Sequence, residues 1–273
     1  METVARNEVV AQPYKKRRVS IKGSWRKILG SGLLTWLGLL AVWSVMAQFS
    51  DPQFLPSPIA TLLGAIELSK DGSLFVYMLY SFGRVLAGWS IGLLIAIPLG
   101  LLIGNNKTIR QLVEPLINFV RFIPPLAFIT LFMLWFGIGE QSKVFLIVYA
   151  TLFVVTINTL TGVLSISEDK IRSAKSMGAS EFQILRYVVV PASLPYIFTG
   201  ARLAMGSSFM AIVGAEMVAA NEGVGFMIWN ARLYFQTDWI FVGLVVLGLM
   251  GFCADRLLAW SGRKFLKRYN IVS

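Results

Sequence analysis

Of the 273 residues, 56% are hydrophobic and 14% charged, well below the roughly 25% charged content of an ordinary soluble domain, so the chain is not a soluble globular protein. Lysine and arginine outnumber aspartate and glutamate 25 to 14, a formal charge of +11. With no histidine, a single cysteine and no clustering of the remaining metal-ligand types, the chain offers nothing for zinc chemistry, histidine acid–base catalysis or an intrachain disulfide.

Residues 1–28 hold eight basic side chains and Pro13, and read as a disordered tail near anionic headgroups. Leu29 to Phe49 follows, an apolar run too long for a signal peptide and lacking a clean small-x-small cleavage site; it is expected to be the first membrane span. Further runs at Leu74 to Gly104, Val113 to Phe136, Val144 to Ile166, Tyr196 to Ala220 and Ile240 to Trp260 are each long enough to cross a hydrocarbon layer of ~30 Å as a helix. Unpaired backbone groups are excluded from lipid and barrel strands would alternate in polarity, so these runs are helical. The expectation is an all-α integral membrane protein with six transmembrane helices in residues 29–262, followed by a basic tail at 263–273. Pro58 to Lys70 and Val224 to Phe235 read as short amphipathic surface helices, either partner contacts or interfacial anchors with Trp229 and Tyr234.

Within the second span, Gly88, Gly92, Gly100 and Gly104 put small residues on one face and predict close helix packing. "GLLIGNNKT", Gly100 to Thr108, is the nearest approach to a phosphate loop. Asn106 stands where such a loop needs glycine and no strand precedes it, so no nucleotide or other cofactor is expected.

Basic residues orient the chain, because they are retained on the cytoplasmic side. The leader, Asn105 to Leu112, Ser167 to Val190 and the tail hold 18; the alternating turns hold three, Lys70, Lys143 and Arg232. Both termini are therefore expected in the cytoplasm. The positive charge then reflects topology and contact with membrane lipid, not nucleic acid.

Arg84, Arg121, Arg202 and Glu216 fall inside spans, where each costs at least ~2.5 kcal/mol at mid-membrane unless it faces protein or water. On this topology Arg84 and Glu216 both lie in outer halves and are expected to form an ion pair. Either they serve only packing and gating, or they meet substrate. Arg202, close to the cytoplasmic end of its span, is expected to snorkel. Arg121 precedes Pro124 and Pro125, whose missing amide protons interrupt a helix. Irregular backbone at this depth is tolerated where it lines a cavity, so Arg121, Pro124, Pro125 and Glu216 are the candidate translocation residues. Phe122, Phe128, Phe132 and Trp135 either line that path or are lipid-facing and core aromatics.

Between the fourth and fifth spans lies a polar stretch. Ser167 is placed to cap a helix with Glu168 and Asp169 in its first turn, and Gly178 suits the left-handed position that stops it. Ser180 and Gln183 form a capping box for a second helix, with Phe182, Leu185 and Val188 or Val189 sharing a face and Pro191 at its end. A glycine, nine residues, then Val188-x-Val190-Pro191, preceded by Arg172, Ser173 and Ala174, resembles the EAA signature loop of bacterial ABC importer permeases. Only the last residue of the EAA triplet matches. "RFIPPLAFITLFMLWFGIGE" and "GAEMVAANEGVGFMIWNAR" are similar to the nitrate, sulfonate, taurine and bicarbonate branch of that family.

The resemblance implies a MetI-like type I importer permease fold and a role as transport subunit, with ATP hydrolysed by a separate partner. It implies a homodimer with two cytoplasmic ATP-binding subunits and an external solute-binding protein, in a bacterial cytoplasmic membrane. By the same resemblance Ser167 to Tyr187 is the coupling helix, with Ile171, Ala174, Met177, Gly178, Ala179, Ser180, Val188 and Pro191 as ATPase-coupling residues. The rival is an ion-coupled secondary transporter, which needs relay carboxylates at mid-membrane, where Glu216 stands alone.

Overall fold

The computed structural model describes residues 21–266; most of the two tails expected at 1–28 and 263–273 lies outside that range. Every regular element among the described residues is helical. In chain order these are α1 (Ile21–Gln48), α2 (Pro58–Lys70), α3 (Ser73–Asn105), α4 (Lys107–Val120), α5 (Ile129–Phe136), α6 (Glu140–Leu164), α7 (Glu168–Ser176), α8 (Glu181–Ile184), α9 (Val190–Ala219), α10 (Val224–Leu233) and α11 (Thr237–Leu266).

Four uninterrupted helical stretches are long and apolar enough to cross a membrane: α3, α6, the continuous run from Glu181 to Ala219, and α11. A fifth candidate is the pair Lys107–Val120 and Pro125–Phe136, which meet at 89°. The expected span from Val113 to Phe136 is thus broken, at the interruption expected from Pro124 and Pro125. Pro124 and Pro125 supply no amide protons, so α4 stops at Val120 and a short 3-10 turn, Pro125–Phe128, starts the chain in a new direction. The described apolar part of α1, Leu34–Gln48, is too short for a full crossing by itself.

Helices α3, α6 and α9 form the centre of the bundle. Along α3, a methyl group on Gly88, Gly92, Gly100 or Gly104 would sit within 2.6 Å of the Cβ of Ile147, Thr151, Thr159 or Val163. The four-glycine face therefore packs against α6 at backbone contact distance, where dispersion contacts and not apolar transfer hold helices in lipid. Val85, Leu146, Ile147, Ile212 and Ala215 are fully enclosed at this seam.

Helix α10 departs from the expected surface helix. Val224, Met227, Ile228 and Ala231 are buried against the core, and Trp229 is only partly exposed. Helix α2 buries Thr61, Gly64 and Leu68 but exposes Ile59, Leu62 and Leu63. Large apolar side chains are exposed along much of α1, α3 and α11, as expected for surfaces that face lipid or a second subunit.

Candidate functional site

Three features are set at different heights of the bundle. The first is the elbow between α6 and α9. Helix α7 begins at Ser167, whose backbone is extended but whose hydroxyl makes no capping bond; its carbonyl accepts from Lys170 N at 3.1 Å instead. Gly178 has φ +80°, and the amides of Gly178 and Ala179 donate to the carbonyls of Lys175 and Ala174. These two bonds close the helix as a Schellman motif, which a residue with a Cβ would resist. Helix α8 opens with a complete capping box: Ser180 N donates to Gln183 Oε1 at 2.8 Å, and Gln183 N to Ser180 Oγ at 3.3 Å. Lys175 and Glu181 add an ion pair of 2.7 Å across the hinge.

The elbow has an apolar anchor and an exposed tip. Ala174, Ile184 and Val189 are buried with Val163 of α6, and Ile171, Ala179 and Val188 pack around them. Met177 is 82% exposed. The apolar stripe expected over Ile171, Ala174 and Met177 therefore splits, two residues anchoring the unit and the third projecting. Phe182 is also exposed, so the inward face of the second helix is Ile184, Leu185, Val188 and Val189.

Pro191 does not end this helix. The turn Leu185–Val189 is a π-helix in which Val190 N reaches back to Leu185 O, and α9 continues without a break through Pro191. Widening the turn removes the conflict between the proline ring and the preceding carbonyls, so elbow and span form one stretch of 39 residues.

The second feature is a cavity of about 400 Å³ between the broken span, α6 and α9. Arg121, Pro124 and Pro125 line it, with Tyr149, Ser207 and Met210 opposite. The Tyr149 hydroxyl lies 3.0 and 3.2 Å from the carbonyl oxygens of Val120 and Ile123 at the break and shares its one proton between them, while Val120 O also accepts from Ile123 N. Phe128 and Phe132 are stacked at 5.8 Å and pack with Tyr149, whereas Phe122 and Trp135 are exposed. Glu216 is not part of this cavity.

The third feature lies at the end of the bundle opposite the elbow. Arg84 Nη1 is 2.7 Å from Glu216 Oε1 and also donates to the Glu222 carbonyl. Glu216 is completely enclosed: Ser81 Oγ lies 2.8 Å from each carboxylate oxygen, and Gly225 N donates to Oε2 at 2.9 Å. Val224 N in turn donates to Ser81 Oγ, so the start of α10 is aimed at the carboxylate and adds its helix dipole. Gly223, at φ +123°, brings the backbone so close that a Cβ there would collide with the Glu216 carboxylate.

Sequence reasoning missed Ser81 and two charged members of this cluster. Glu140, at the first position of α6, accepts from Arg84 Nε and Nη2 at 2.6 and 2.8 Å and from Lys143 Nζ at 2.8 Å. Lys143, counted above as a turn residue, is 3% exposed. The available signal was the three-residue spacing of opposite charges at the head of an apolar run.

Arg202 also differs from expectation. It makes a two-pronged bond to Asp255 of α11, at 2.9 and 2.8 Å, a partner that the expectation of snorkelling did not include. An aspartate within the last apolar run was the missed partner, and its two oxygens match the planar fork of the guanidinium.

The described residues form an all-helical bundle with four or five apolar helices long enough to cross a membrane, buried charge, and a broken helix beside a cavity, the architecture of a polytopic membrane protein. Residues 96–267 match the model of the family described as binding-protein-dependent transport system inner membrane component, and the chain belongs to that family. The taurine transport system permease protein TauC of Escherichia coli (strain K12) is 34% identical over 257 residues, covering 87% of this chain and 94% of the relative. The bicarbonate transport system permease protein CmpB of Synechococcus elongatus is 34% identical over 258 residues, covering 89% and 92%. The putative aliphatic sulfonates transport permease protein SsuC of Bacillus subtilis (strain 168) is 31% identical over 262 residues, covering 95% and 94%. Among solved structures, the inward-facing MetNI methionine ABC transporter matches with a TM-score of 0.55 at 19% identity over 67% of this chain and 93% of that one. That likeness carries the fold. The chain is an ABC transporter permease, a transport subunit and not an enzyme.

Proposed function

We propose that the protein is the membrane subunit of an ATP-driven importer that moves a small oxyanion of the sulfonate, taurine, bicarbonate or nitrate type into the cell. Six crossings place both termini and the 167–191 elbow in the cytoplasm, the sixth crossing being supplied by α1. Two copies assemble with two ATP-binding subunits inside and a solute-binding protein outside, in a bacterial cytoplasmic membrane. The observation that carries this reading is the elbow itself. Two short helices are locked by a Schellman motif and a capping box, and the second is continuous with a membrane-spanning helix. Such a unit transmits a rigid-body push where a flexible loop would absorb it.

In this reading Met177, Gly178 and Ser180 present the contact surface, while Ile171, Ala174, Ala179 and Val188 hold it to the bundle and Pro191 joins it to α9. Movement of the elbow turns α9, whose Ser207 and Met210 form one wall of the cavity at Arg121, Pro124 and Pro125. Arg121 supplies the positive charge that attracts an anion. An ion-coupled carrier is less well supported, because Glu216, its one candidate relay, is enclosed and already accepts several donors.

Co-purification tests the reading. The full chain retains an ATP-binding subunit in detergent, and Met177→Asp releases it while leaving the chain folded. Equal retention in the variant, or transport at full rate in vesicles without a nucleotide-hydrolysing subunit, rejects it.

A further inference from the structure

Pairing with Glu216 uses only one nitrogen of the Arg84 guanidinium. Nε and Nη2 point the other way, to Glu140, and Lys143 Nζ approaches the same carboxylate from the next turn of α6. Three donor nitrogens thus converge on one acceptor group. The side chains that supply them are 5% and 4% exposed, whereas the carboxylate they hold is 58% exposed. They form the wall of a cavity of about 460 Å³, bordered by Gly139, Ala220 and Asn221.

A buried Arg–Lys pair on the wall of a cavity, holding an exposed carboxylate, has the chemistry of an anion site with a tethered occupant. We propose that Arg84 and Lys143 form a binding site for a small monovalent oxyanion, a sulfonate or carboxylate, and that Glu140 is its built-in stand-in. Charge supports the assignment. Glu222 lines the same cavity, so with Glu140 in place two cations face three carboxylates, of which only Glu140 accepts from both Arg84 and Lys143. When Glu140 swings away, Lys143 Nζ and the Nε and Nη2 of Arg84 lose the carboxylate they bind, which favours one incoming negative charge in its place.

Geometry supports it as well. The guanidinium edge presents two parallel N–H groups that match two oxygens of a carboxylate or sulfonate, and the lysine adds a third donor. Glu140 is the first residue of its helix, preceded by Gly137 at φ +81° and Gly139, so its side chain can move without disturbing α6. Glu216 is the fixed counter-charge that keeps Arg84 in place throughout the exchange.

Only the side of the membrane on which this mouth opens rests on the importer reading; the binding step does not. The test is thermal unfolding of the full chain in zwitterionic nanodiscs, with sodium methanesulfonate compared with sodium chloride at equal ionic strength. Glu140→Gln is expected to show a saturable rise in midpoint specific to methanesulfonate, about 4 °C at ten times the dissociation constant. Adding Lys143→Gln abolishes it. Absence of a methanesulfonate-specific rise in Glu140→Gln, or its persistence with Lys143→Gln, overturns the proposal. Should Glu140→Gln not fold, the wild-type chain carries the test: it shows a saturable methanesulfonate-specific rise at higher concentration, whose absence overturns the proposal, and Lys143→Gln alone weakens the affinity at least tenfold. An unchanged affinity there also overturns the proposal. Neither result depends on ATP or on a partner subunit.

Discussion

Helix α6 joins two charged regions built on opposite rules. At its Glu140 end, Arg84, Lys143, Glu140 and Glu216 tie α3, α6, α9 and the start of α10 together through direct contacts, fully buried at Glu216 and part-buried at Glu140. At its Leu164 end, the elbow is rich in charge yet its ion pairs are exposed, as for Arg172 and Glu168 at 73% and 79%. There, backbone caps and four small apolar side chains provide the rigidity. The contrast teaches that charge fixes the bundle where water is excluded. Where water is present, the same residue types contribute little and the stiffness must come from the main chain.

Breaking the buried end has the largest expected effect. Arg84→Met strands Glu216 without its counter-charge, a loss on the order of 3–5 kcal/mol, read as a collapse in the yield of folded protein or in thermal midpoint. Arg84→Met with Glu216→Gln recovers much of that loss, because no lone charge then stays buried. If the double variant is no better than the single one, the ion pair is not what holds this end.

Gly178→Ala is next. Forcing a Cβ into the left-handed region costs ~1–2 kcal/mol, confined to the elbow. Hydrogen exchange is expected to quicken at amides 174–184 while those of the α3–α6 seam stay protected. Uniform quickening would mean that elbow and bundle unfold together, and the contrast would be lost. Ser180→Ala removes the capping box at about 1 kcal/mol, with a smaller change in the same amides. Arg172→Gln, which breaks an exposed i,i+4 pair, shifts stability by only about 0.3–0.5 kcal/mol. A larger loss would show the elbow to be held by charge after all.

Much of this was legible along the chain. Local signals report local structure, so Gly178 and the Ser180–Gln183 pair marked the hinge and the second cap correctly, and the α3 glycines announced a close seam. Pro124 and Pro125 marked an interruption, but the 89° bend follows from how α5 packs on α6, which no spacing encodes. Pro191 misled for the same reason: a π turn, stabilised by burial of Ile184 and Val189, carries the helix past it. Arg202 found Asp255, and Arg84 found Glu140 as well as Glu216, because partners 53 and 56 residues away become visible only when helices are brought side by side.

The sequence alone determined that this is a helical membrane protein, where its longest apolar runs lie, and that a capped, glycine-hinged unit separates two of them. Those features depend on composition, period and backbone chemistry within a few residues. Tertiary structure alone decided which buried charge meets which, that α10 enters the core, and where the cavities open. In an apolar slab a charge takes whichever counter-charge lies within reach, and helix packing sets that reach.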